Sequence, residues 1–497
     1  MPTVLNPQTQ QGASASSSTS AATSAATSAA TSAATSAATL TATSATAASA
    51  GTTPIYPSAR YAWYVIAVLF AATLLSQLDR QLPALLVRPL RKEFGISDTA
   101  FSLLQGYAFA IFYTLAGLPL GRLVDRGNRR NLIFVALLFW GAATALFAFG
   151  QSYTHLLLAR VGVGIGEAVL APAAYSLIAD CIAPARRGRA MAIYYVSIAI
   201  GSGASLLLGG WLLAAIPPHG LAIAGIGSVP AWRLAFVAAA LPAVPLALLL
   251  LVTVREPARQ EVAVASTGID AGEHASISDF VRYLRLHAAT FARVLTYPAL
   301  LSIIGYGALA WAPALFERNF GMPPMRSGPV LGLIIAIAGA GGTLVCGFLS
   351  DAWTARGVTA ARFRVALLGS AVFALPCVLW PLMPDARLAF ALLFVSVFGL
   401  GIAQSAAPAA IQAVVPNRMR GQAIAVYLLL AGLLGIGLGP TAVALVTDHV
   451  FHRDGALRYA VACTAAPAAL FGLWLIGSGV KPYARTLAAL HVAQERP

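Results

Sequence analysis

The stretch YAWYVIAVLFAATLLSQLDR, residues 61–80, is uncharged as far as Leu78 and then ends in the acid–base pair Asp79–Arg80. An apolar run of about 20 residues is long enough for a helix to cross about 30 Å of hydrocarbon. A charge deep in a bilayer costs roughly 3 kcal/mol on insertion scales, so such residues rarely persist without a use. Asp79 and Arg80 are therefore the first candidate functional residues.

Apolar runs of this kind recur along almost the whole chain. It is 59% hydrophobic and 10% charged, with a mean hydropathy of +0.78, whereas soluble domains carry about 25% charged residues. The sequence therefore predicts an all-α membrane protein. We expect twelve transmembrane helices, near residues 61–87, 99–120, 131–150, 153–180, 190–216, 232–254, 294–316, 327–350, 364–383, 387–414, 422–447 and 457–480.

The net charge of +15 could suggest a partner such as nucleic acid, but the basic residues follow membrane topology. Loops at one end of the predicted helices, here called the basic face, are rich in arginine, and loops at the other end, the far face, are poorer. The positive-inside rule predicts that the basic face and both termini are cytoplasmic. We expect a multi-pass protein of the cytoplasmic (inner or plasma) membrane that binds no nucleic acid. The basic-face arginines are Arg122, Arg126, Arg129, Arg130, Arg186, Arg187, Arg189, Arg255, Arg259, Arg282, Arg285, Arg293, Arg356, Arg362, Arg364, Arg418 and Arg420.

Composition divides the chain into five segments. The Ala/Ser/Thr repeats at the start cannot bury a core, which predicts a disordered cytoplasmic tail. The longest interior polar stretch predicts a linker in which Ser276 and Asp279 cap an amphipathic helix. We favour a helix on the membrane surface over a partner-binding site. The predicted segments are a tail at 1–57, a six-helix bundle at 58–254, a cytoplasmic linker at 255–293, a second six-helix bundle at 294–480 and a cytoplasmic tail at 481–497.

The two halves repeat two short signatures in the same order. Gly121-Arg-Leu-Val-Asp125 follows the second predicted helix, and Gly347-Phe-Leu-Ser-Asp351 follows the eighth. A second pair begins at Pro184 and Pro416, in the loops after the fourth and tenth helices. Repeats on the same side of the membrane predict two pseudo-symmetric six-helix bundles, a transporter design in which the substrate binds between the bundles.

These motifs resemble a known family. Gly121-x-x-x-Asp125-Arg126-x-x-Arg129-Arg130 is similar to the cytoplasmic loop signature of the major facilitator superfamily, although Asn128 stands where glycine is commonest. The resemblance covers residues 58–480 and implies the major facilitator fold and alternating access. Eukaryotic members of the Spinster-like branch are associated with export of sphingoid and lysophospholipid molecules. The stretches that resemble that branch are Asp79–Arg80, Arg160–Ala168, Trp232–Arg233 and Gly307–Pro313.

Four charges lie inside the predicted helices of the N-terminal half: Asp79, Arg80, Arg160 and Glu167. Neighbouring side chains diverge by about 100° around a helix, and residues seven apart lie about 10 Å apart along it. Cross-helix pairing is therefore expected, either Asp79 with Arg160 or Arg80 with Glu167, and the sequence does not choose. The histidines lie in loops, tails or helix ends, so Asp79 and Glu167 are the candidates for proton or ion coupling. The alternative is permanent ion pairs that hold two helices together.

The resemblance also implies a latch at the basic face that holds when this side is closed and breaks when it opens. Gly121 would allow close helix contact, and Asp125 would cap the N-terminus of a facing helix. The arginines after them would meet an acid at the end of the fourth helix. The predicted gate residues are Gly121, Asp125, Arg126, Arg129, Arg130, Asp180 and, as a weaker copy, Asp351.

A central cavity also needs apolar and aromatic walls beside these charges. Because the C-terminal half lacks interior charges, an amphipathic substrate would place its polar head near the charged set and its apolar part against that half. Arg80 and Arg160 would bind substrate or pair with the acids. Further candidates for the substrate site are Gln77, Tyr306 and Trp311, and for the wider wall Gln105, Tyr107, Tyr113, Tyr195, Gln404 and Gln412.

Other function classes lack their motifs. No GxxxxGK[ST] loop supports ATP hydrolysis, and the four cysteines show no metal-ligand spacing. We expect no enzymatic activity, cofactor or metal, and a monomer whose partners are a small or lipid-like substrate, protons and membrane lipids. Two alternatives stay open: a multidrug–proton antiporter, although the fifth helix lacks the Gly-Pro pair usual there, and a non-transporting membrane receptor or scaffold.

Overall fold

The computed structural model describes residues 56–217, 220–223, 227–259 and 276–494. Most of the predicted N-terminal tail (1–57), residues 260–275 of the predicted linker and the last three residues lie outside this part. Twelve described helices are long and apolar enough to cross a membrane, which confirms the predicted all-α fold class. These spans, one to twelve, are Ala59–Leu85, Asp98–Arg126, Arg129–Ala148, Tyr153–Cys181, Arg189–Ala215, Ala231–Thr253, Ala288–Phe320, Pro324–Ala355, Ala361–Leu382, Ala386–Ala413, Arg420–Phe451 and Asp454–Leu490.

Short elements complete the described chain. An amphipathic helix, Val87–Phe94, follows span one at the far face, and the linker helix, Ile277–Leu286, precedes span seven at the basic face. The helix of span five begins at Pro184. Strands β1 (Leu221–Ile223) and β2 (Gly227–Val229) pair antiparallel between spans five and six, with Leu221 opposite Val229.

The predicted capping box of the linker helix is present. Ser276 Oγ accepts a hydrogen bond from the Asp279 backbone N–H at 3.2 Å. The Ser276 hydroxyl also donates to the Asp279 carboxylate at 3.1 Å, and this second bond, together with the nearby Arg282, holds the pKa of the Asp279 carboxyl below its usual value. Phe280 is buried, and the Tyr283 hydroxyl donates to the Val414 carbonyl at 2.9 Å. The linker helix therefore packs against the C-terminal half by one face.

The last helix is longer than its apolar run. It continues from Leu457 to Gln494, well past the predicted end at residue 480. The Tyr483 hydroxyl donates to the Ala410 carbonyl at 2.9 Å, and Thr486 shares a 2.8 Å hydrogen bond with Thr290. These contacts with spans seven and ten stabilise the part of the helix beyond residue 480, which a prediction from hydropathy alone leaves out. Span seven likewise begins at Ala288, before the predicted 294, because Thr290 and Phe291 are buried.

Several spans depart from a regular α-helix close to the candidate site. Span four breaks between Glu167 and Leu170. Pro172 explains the break, because a proline ring clashes with the carbonyl four residues earlier and removes a hydrogen bond. Spans two and eleven contain π-helical segments at Leu103–Tyr107 and Ala431–Leu438. Such segments occur often at functional sites.

In the described chain, the three largest apolar clusters comprise one within each half and one shared between the halves. One cluster, with Leu69, Leu137 and Leu177 at its centre, is formed by spans one to six. A second is formed by spans seven to twelve and the linker helix. A third includes Phe101 of span two and Trp311 of span seven, and so joins the halves near the far face. The packing between the halves is therefore concentrated at one end.

Candidate functional site

Span one and span four are joined by a buried ion pair. Arg80 Nε donates to Glu167 Oε2 at 2.7 Å, and the Ser76 hydroxyl donates to the same oxygen at 2.7 Å. The Glu167 side chain is fully buried, and 25% of the Arg80 side chain is exposed. Of the two pairings that the sequence left open, this structure forms the one between Arg80 and Glu167.

Asp79 and Arg160 are arranged differently. Both are buried, but Arg160 Nη1 donates to the main-chain carbonyl oxygen of Asp79 at 3.0 Å and not to its carboxylate. In the described chain, no arginine or lysine nitrogen lies within 4 Å of the Asp79 carboxylate. Its buried Oδ1 and the Arg160 Nε have no hydrogen-bond partner there. The cluster therefore contains one neutralised acid and one uncompensated acid.

An aromatic pair from span two covers the two arginines. The Arg80 guanidinium carbon lies 4.6 Å from the Phe109 ring centre and 4.9 Å from that of Tyr113. The Arg160 guanidinium lies 5.8 Å from the Phe109 ring. A cation over an aromatic face gains electrostatic energy, more when water is excluded. The sequence indicated Tyr113 but missed Phe109, although their four-residue spacing puts them on one helix face.

The glycines before Glu167 allow close packing around it. A Cβ at Gly164 would lie 2.8 Å from the Phe109 carbonyl oxygen, and one at Gly166 would lie 2.8 Å from the Trp140 Cβ. Spans two and three therefore approach span four at these positions. This close approach positions the aromatic ring of Phe109 over the arginines.

The other predicted substrate-site residues do not all reach the cluster. Gln77 Nε2 donates to the Ile198 carbonyl at 3.2 Å and to Ser202 Oγ at 2.6 Å, so it fixes span one to span five. Tyr306 is 44% exposed and remains a candidate wall residue. The side chain of Tyr195 lies outside the described part.

Trp311 is buried in the packing between the halves. Its Nε1 donates to the Pro440 carbonyl at 2.9 Å, and its ring centre lies 5.9 Å from that of Phe101. In this conformation Trp311 contacts spans two and eleven and does not contact the charged cluster. An apolar ring with one N–H satisfied by a carbonyl is typical of packing.

A network of polar contacts joins the halves at the far face, and we call it the far-face seal. Arg318 at the end of span seven makes two parallel bonds to Asp98 at the start of span two, of 2.6 and 2.7 Å. Asp98 is fully buried, and bidentate arginine–carboxylate pairs are among the stronger polar contacts. The members of the seal are Arg88, Arg91, Asp98, Thr99, Glu317, Arg318, Asp448 and Asp454.

The seal also uses the start of span two as an anchor. Asp448 Oδ2 accepts hydrogen bonds from the Thr99 backbone N–H and hydroxyl, both 2.7 Å. Arg91 bridges Asp98 at 3.2 Å and Asp454 at 3.0 Å. A carboxylate at a helix N-terminus is stabilised by the free N–H groups and the dipole. The sequence missed this network because its members lie in short loops and helix ends far apart in the chain.

Backbone contacts continue from the seal into the membrane. A Cβ at Gly203 of span five would lie 2.4 Å from the Gly332 carbonyl oxygen of span eight. A Cβ at Gly106 of span two would lie 2.5 Å from the Ile436 oxygen of span eleven. The halves thus touch backbone to backbone in their far-face portions.

The predicted latch at the basic face is not engaged in this structure. Asp125, Arg126 and Asp351 are exposed, and a Cβ at Gly121 or Gly347 would meet open space within 4 Å. The close contact expected at Gly121 is therefore not made in this conformation. Far-face contact and basic-face separation together describe a transporter-like cleft open to the basic face.

Of the three arginines expected to meet Asp180, one does so. Arg129 is fully buried and donates to Asp180, to Ser176 Oγ at 2.8 Å and to Glu256 Oε1 at 2.7 Å. Arg130 instead offers its backbone N–H to Glu256 Oε2 at 3.0 Å. Glu256, which the sequence did not single out, ties the start of the linker to the start of span three, and Arg129 extends this contact to span four.

The comparison with protein families decides the identity of this fold. The profile of the Major Facilitator Superfamily matches residues 69–440. The chain belongs to this superfamily. It is a multi-pass membrane transporter and not an enzyme, and the predicted fold of two six-helix bundles is confirmed.

Two comparisons connect the transporter to the Spinster-like branch. It is 30% identical over 267 residues to "Protein spinster homolog 1" of Homo sapiens, covering 51% of this chain and 46% of the human protein. A crystal structure of a bacterial homolog to the human lysosomal transporter Spinster, inward-facing and unoccupied, superposes with a TM-score of 0.70 at 25% identity. It covers 87% of this chain and 99% of that one. The chain is a Spinster-like transporter.

Another relative is matched over a larger share of its length than the human Spinster protein is. The transporter is 30% identical over 400 residues to an "MFS-type efflux pump" of Mycolicibacterium smegmatis, covering 80% of this chain and 87% of that protein. A "Probable L-galactonate transporter" of Escherichia coli is 28% identical over 295 residues, covering 58% and 61%. The chain thus spans less than two thirds of the L-galactonate and human Spinster relatives. The two bacterial relatives are described as an efflux pump and a probable transporter.

Proposed function

We propose that this protein is a proton-coupled secondary transporter that moves an amphipathic or organic-anion-like solute by alternating access. The two halves, 58–254 and 294–480, would rock about the central site while the linker at 255–293 keeps them joined. The basic face would be cytoplasmic, so the described conformation would open toward the cytoplasm. The open space beside Gly121, the exposed Asp125 and the intact seal at Asp98 support this assignment.

Asp79 is the proposed proton site, and one observation carries this choice. Its carboxylate is buried with no cation within 4 Å in the described chain, while Glu167 already has Arg80 and Ser76. A buried carboxylate charge without a partner is costly, and either a proton or an approaching cation removes the cost. Asp79 can therefore alternate between a proton and Arg160 as its partner.

Arg160 is the proposed contact for an anionic group of the solute. Its Nε has no partner in the described chain, and its guanidinium lies beside Phe109. Release of a proton from Asp79 would draw this arginine toward the carboxylate and away from the solute. Solute binding and protonation would then favour each other, which is the linkage that a coupled transporter needs.

The solute class follows from what the two halves offer. The N-terminal half presents two arginines under aromatic rings, and the facing wall from span seven includes the half-exposed Tyr306. A molecule with an anionic head and an apolar body matches both surfaces. A "Sphingosine-1-phosphate transporter" of Danio rerio, 31% identical over 144 residues, covers 29% of this chain and 28% of its own length. That relative supports a lipid-like anion as the first solute to test.

A multidrug–proton antiporter is the second candidate, favoured by the similarity to the mycobacterial efflux pump. Cationic drugs would use Asp79 or Glu167 rather than Arg160 as their contact. A drug substrate would therefore be unaffected by Arg160→Gln, whereas an anionic solute would lose binding. A receptor or scaffold would transport neither class.

The decisive experiment is flux into proteoliposomes with an imposed pH gradient, using panels of lysophospholipids, sphingoid bases, sugar acids and cationic drugs. Asp79→Asn should abolish gradient-driven accumulation but keep exchange of solute across the membrane without a gradient. Asp279→Asn, the same chemical change in the linker helix and away from the charged cluster, is the matched control and should behave as the unmodified protein. Full accumulation by the Asp79 variant would exclude Asp79 as the proton site. No flux with any panel would favour the receptor reading.

A further inference from the structure

A groove of about 590 Å³ lies on the C-terminal half, away from the charged cluster of spans one and four. It is formed where spans eight, nine and twelve approach the basic face. One basic side chain, Arg364, stands among apolar residues. The lining residues are Trp353, Val358, Arg364, Leu367, Leu368, Ala371 and Val480.

The groove runs from the membrane boundary into the hydrocarbon region. Arg364 is three residues into span nine, and Ala371 lies about 10 Å further along the helix. Trp353 is near the end of span eight, where aromatic side chains often mark the level of the lipid headgroups. Leu368 and Ala371 are exposed, so the apolar part of the groove is open to the bilayer.

The charge at the mouth of the groove is uncompensated. Arg364 is exposed, and no carboxylate lies within 4 Å of its guanidinium in the described residues. Arg356 and Arg362, in the same stretch between spans eight and nine, are exposed too, and neither makes an ion pair there. Basic pockets between spans at the cytoplasmic side suit the phosphate groups of anionic lipids. The positive charge at the membrane boundary complements the phosphate group of such a lipid, and the apolar part of the groove complements its acyl chain.

We infer that this groove binds one anionic phospholipid from the leaflet at the basic face. Its phosphate would contact Arg364, and one acyl chain would lie along Leu367, Leu368 and Ala371. A transported solute is a poorer fit, because the groove lies outside the cleft between the halves. The bound lipid would connect the ends of spans eight and nine to span twelve, next to the repeated motif at Asp351.

The test compares lipid retention after exchange of the purified full-length protein into phosphatidylcholine nanodiscs containing a minority of phosphatidylglycerol. Native mass spectrometry of the released protein counts the lipids that stay bound. The unmodified protein should retain phosphatidylglycerol in preference to phosphatidylcholine. Arg364→Gln should reduce that preference roughly fivefold, as expected for one arginine at an anionic surface.

Two further variants separate a built site from general attraction. Arg418→Gln removes an exposed arginine from the same face and the same half, outside the groove, and should keep the preference. Ala371→Trp fills the apolar channel without changing charge and should lower retention of both lipids. Elution volume and helical circular dichroism check the fold of each variant.

Three outcomes would overturn the inference. The first is an equal loss of preference in the Arg364 and Arg418 variants, which would mean only a diffuse basic surface. The second is unchanged retention in the Ala371→Trp variant. The third is a dimer that cross-links through the groove and retains no lipid, which would make a second copy the occupant.

Discussion

Arg160 hydrogen-bonds to the main-chain carbonyl of Asp79 at 3.0 Å, while the carboxylate of the same residue has no cationic partner within 4 Å in the described chain. The neighbouring Arg80 is paired with Glu167 at 2.7 Å. The two acids of this cluster thus differ in whether they make a direct ion pair. This difference predicts that their neutralisation has different consequences for stability.

Glu167→Gln should destabilise the protein, whereas Asp79→Asn should leave stability unchanged or raise it. Loss of Glu167 leaves Arg80 without its carboxylate, and breaking a buried pair costs about 3 kcal/mol at the low end of the known range. The low end applies because a quarter of the Arg80 side chain is exposed. Thermal unfolding of both variants in the same detergent measures the contrast. Equal melting temperatures would contradict the assignment of Asp79 as the uncompensated acid.

Arg318→Lys should weaken the far-face seal and raise the population that is open at the far face. Lysine keeps the charge but cannot make two parallel bonds to Asp98. Spin labels are attached to cysteines that replace the exposed Gln151 and Arg387, one on each half, and the exposed Cys463 is replaced by serine. Double electron–electron resonance between the two labels then measures the distance between the halves at the far face. We expect a longer-distance population that the parent pair lacks. An unchanged distribution would show that the seal does not hold this state.

Gly121→Leu should slow transport without destabilising the described conformation. A side chain at Gly121 meets open space here, but the proposed latch brings this position close to another helix when the basic face closes. The same labels should show the unchanged far-face distance, and flux should fall severalfold. Gly203→Ala is the contrasting variant, because its Cβ would meet the Gly332 oxygen at 2.4 Å and disfavour the sealed far face. If the two variants changed the far-face distance to a similar extent, the contrast between an open basic face and a closed far face would be contradicted.

The docking of the linker helix should weaken below about pH 6.5, the ordinary pKa of histidine. Partial burial lowers the pKa of His287, whose ring lies 4.7 Å from that of Tyr283. The undocked helix therefore binds the proton more readily, and docking is favoured at higher pH and lost as pH falls. Hydrogen exchange at residues 277–286, corrected for intrinsic rates between pH 7.5 and 5.5, should rise on acidification. His287→Gln should remove this dependence, and its persistence would assign the effect to another group.

The membrane class and the helix count were accessible from the chain because hydropathy is a local property. A run such as 61–80 predicts a membrane-spanning helix whatever the rest of the chain does. Helix ends were less accessible. Thr486 and Tyr483 extend the last helix through contacts with spans seven and ten, and no local pattern encodes those contacts.

For the candidate site, too, some features were predictable from the sequence and others were not. The sequence alone identified the charged set, Asp79, Arg80, Arg160 and Glu167, because charge in an apolar helix is conspicuous and costly. Which of these charges pair could not be predicted, because pairing depends on how spans one and four are rotated about their axes relative to each other. The tertiary structure selected Arg80 with Glu167, brought Phe109 over both arginines and left Asp79 uncompensated.

The far-face seal marks the limit of sequence reasoning for this protein. Asp98 and Arg318 are 220 residues apart and lie at ordinary helix ends, where charges are expected and carry no signal. By itself the sequence determined a membrane protein of twelve helices in two repeated halves, with four charged residues inside spans one and four. Only the tertiary structure decided which charges meet and which face is shut, because both depend on the contact of elements distant in the chain.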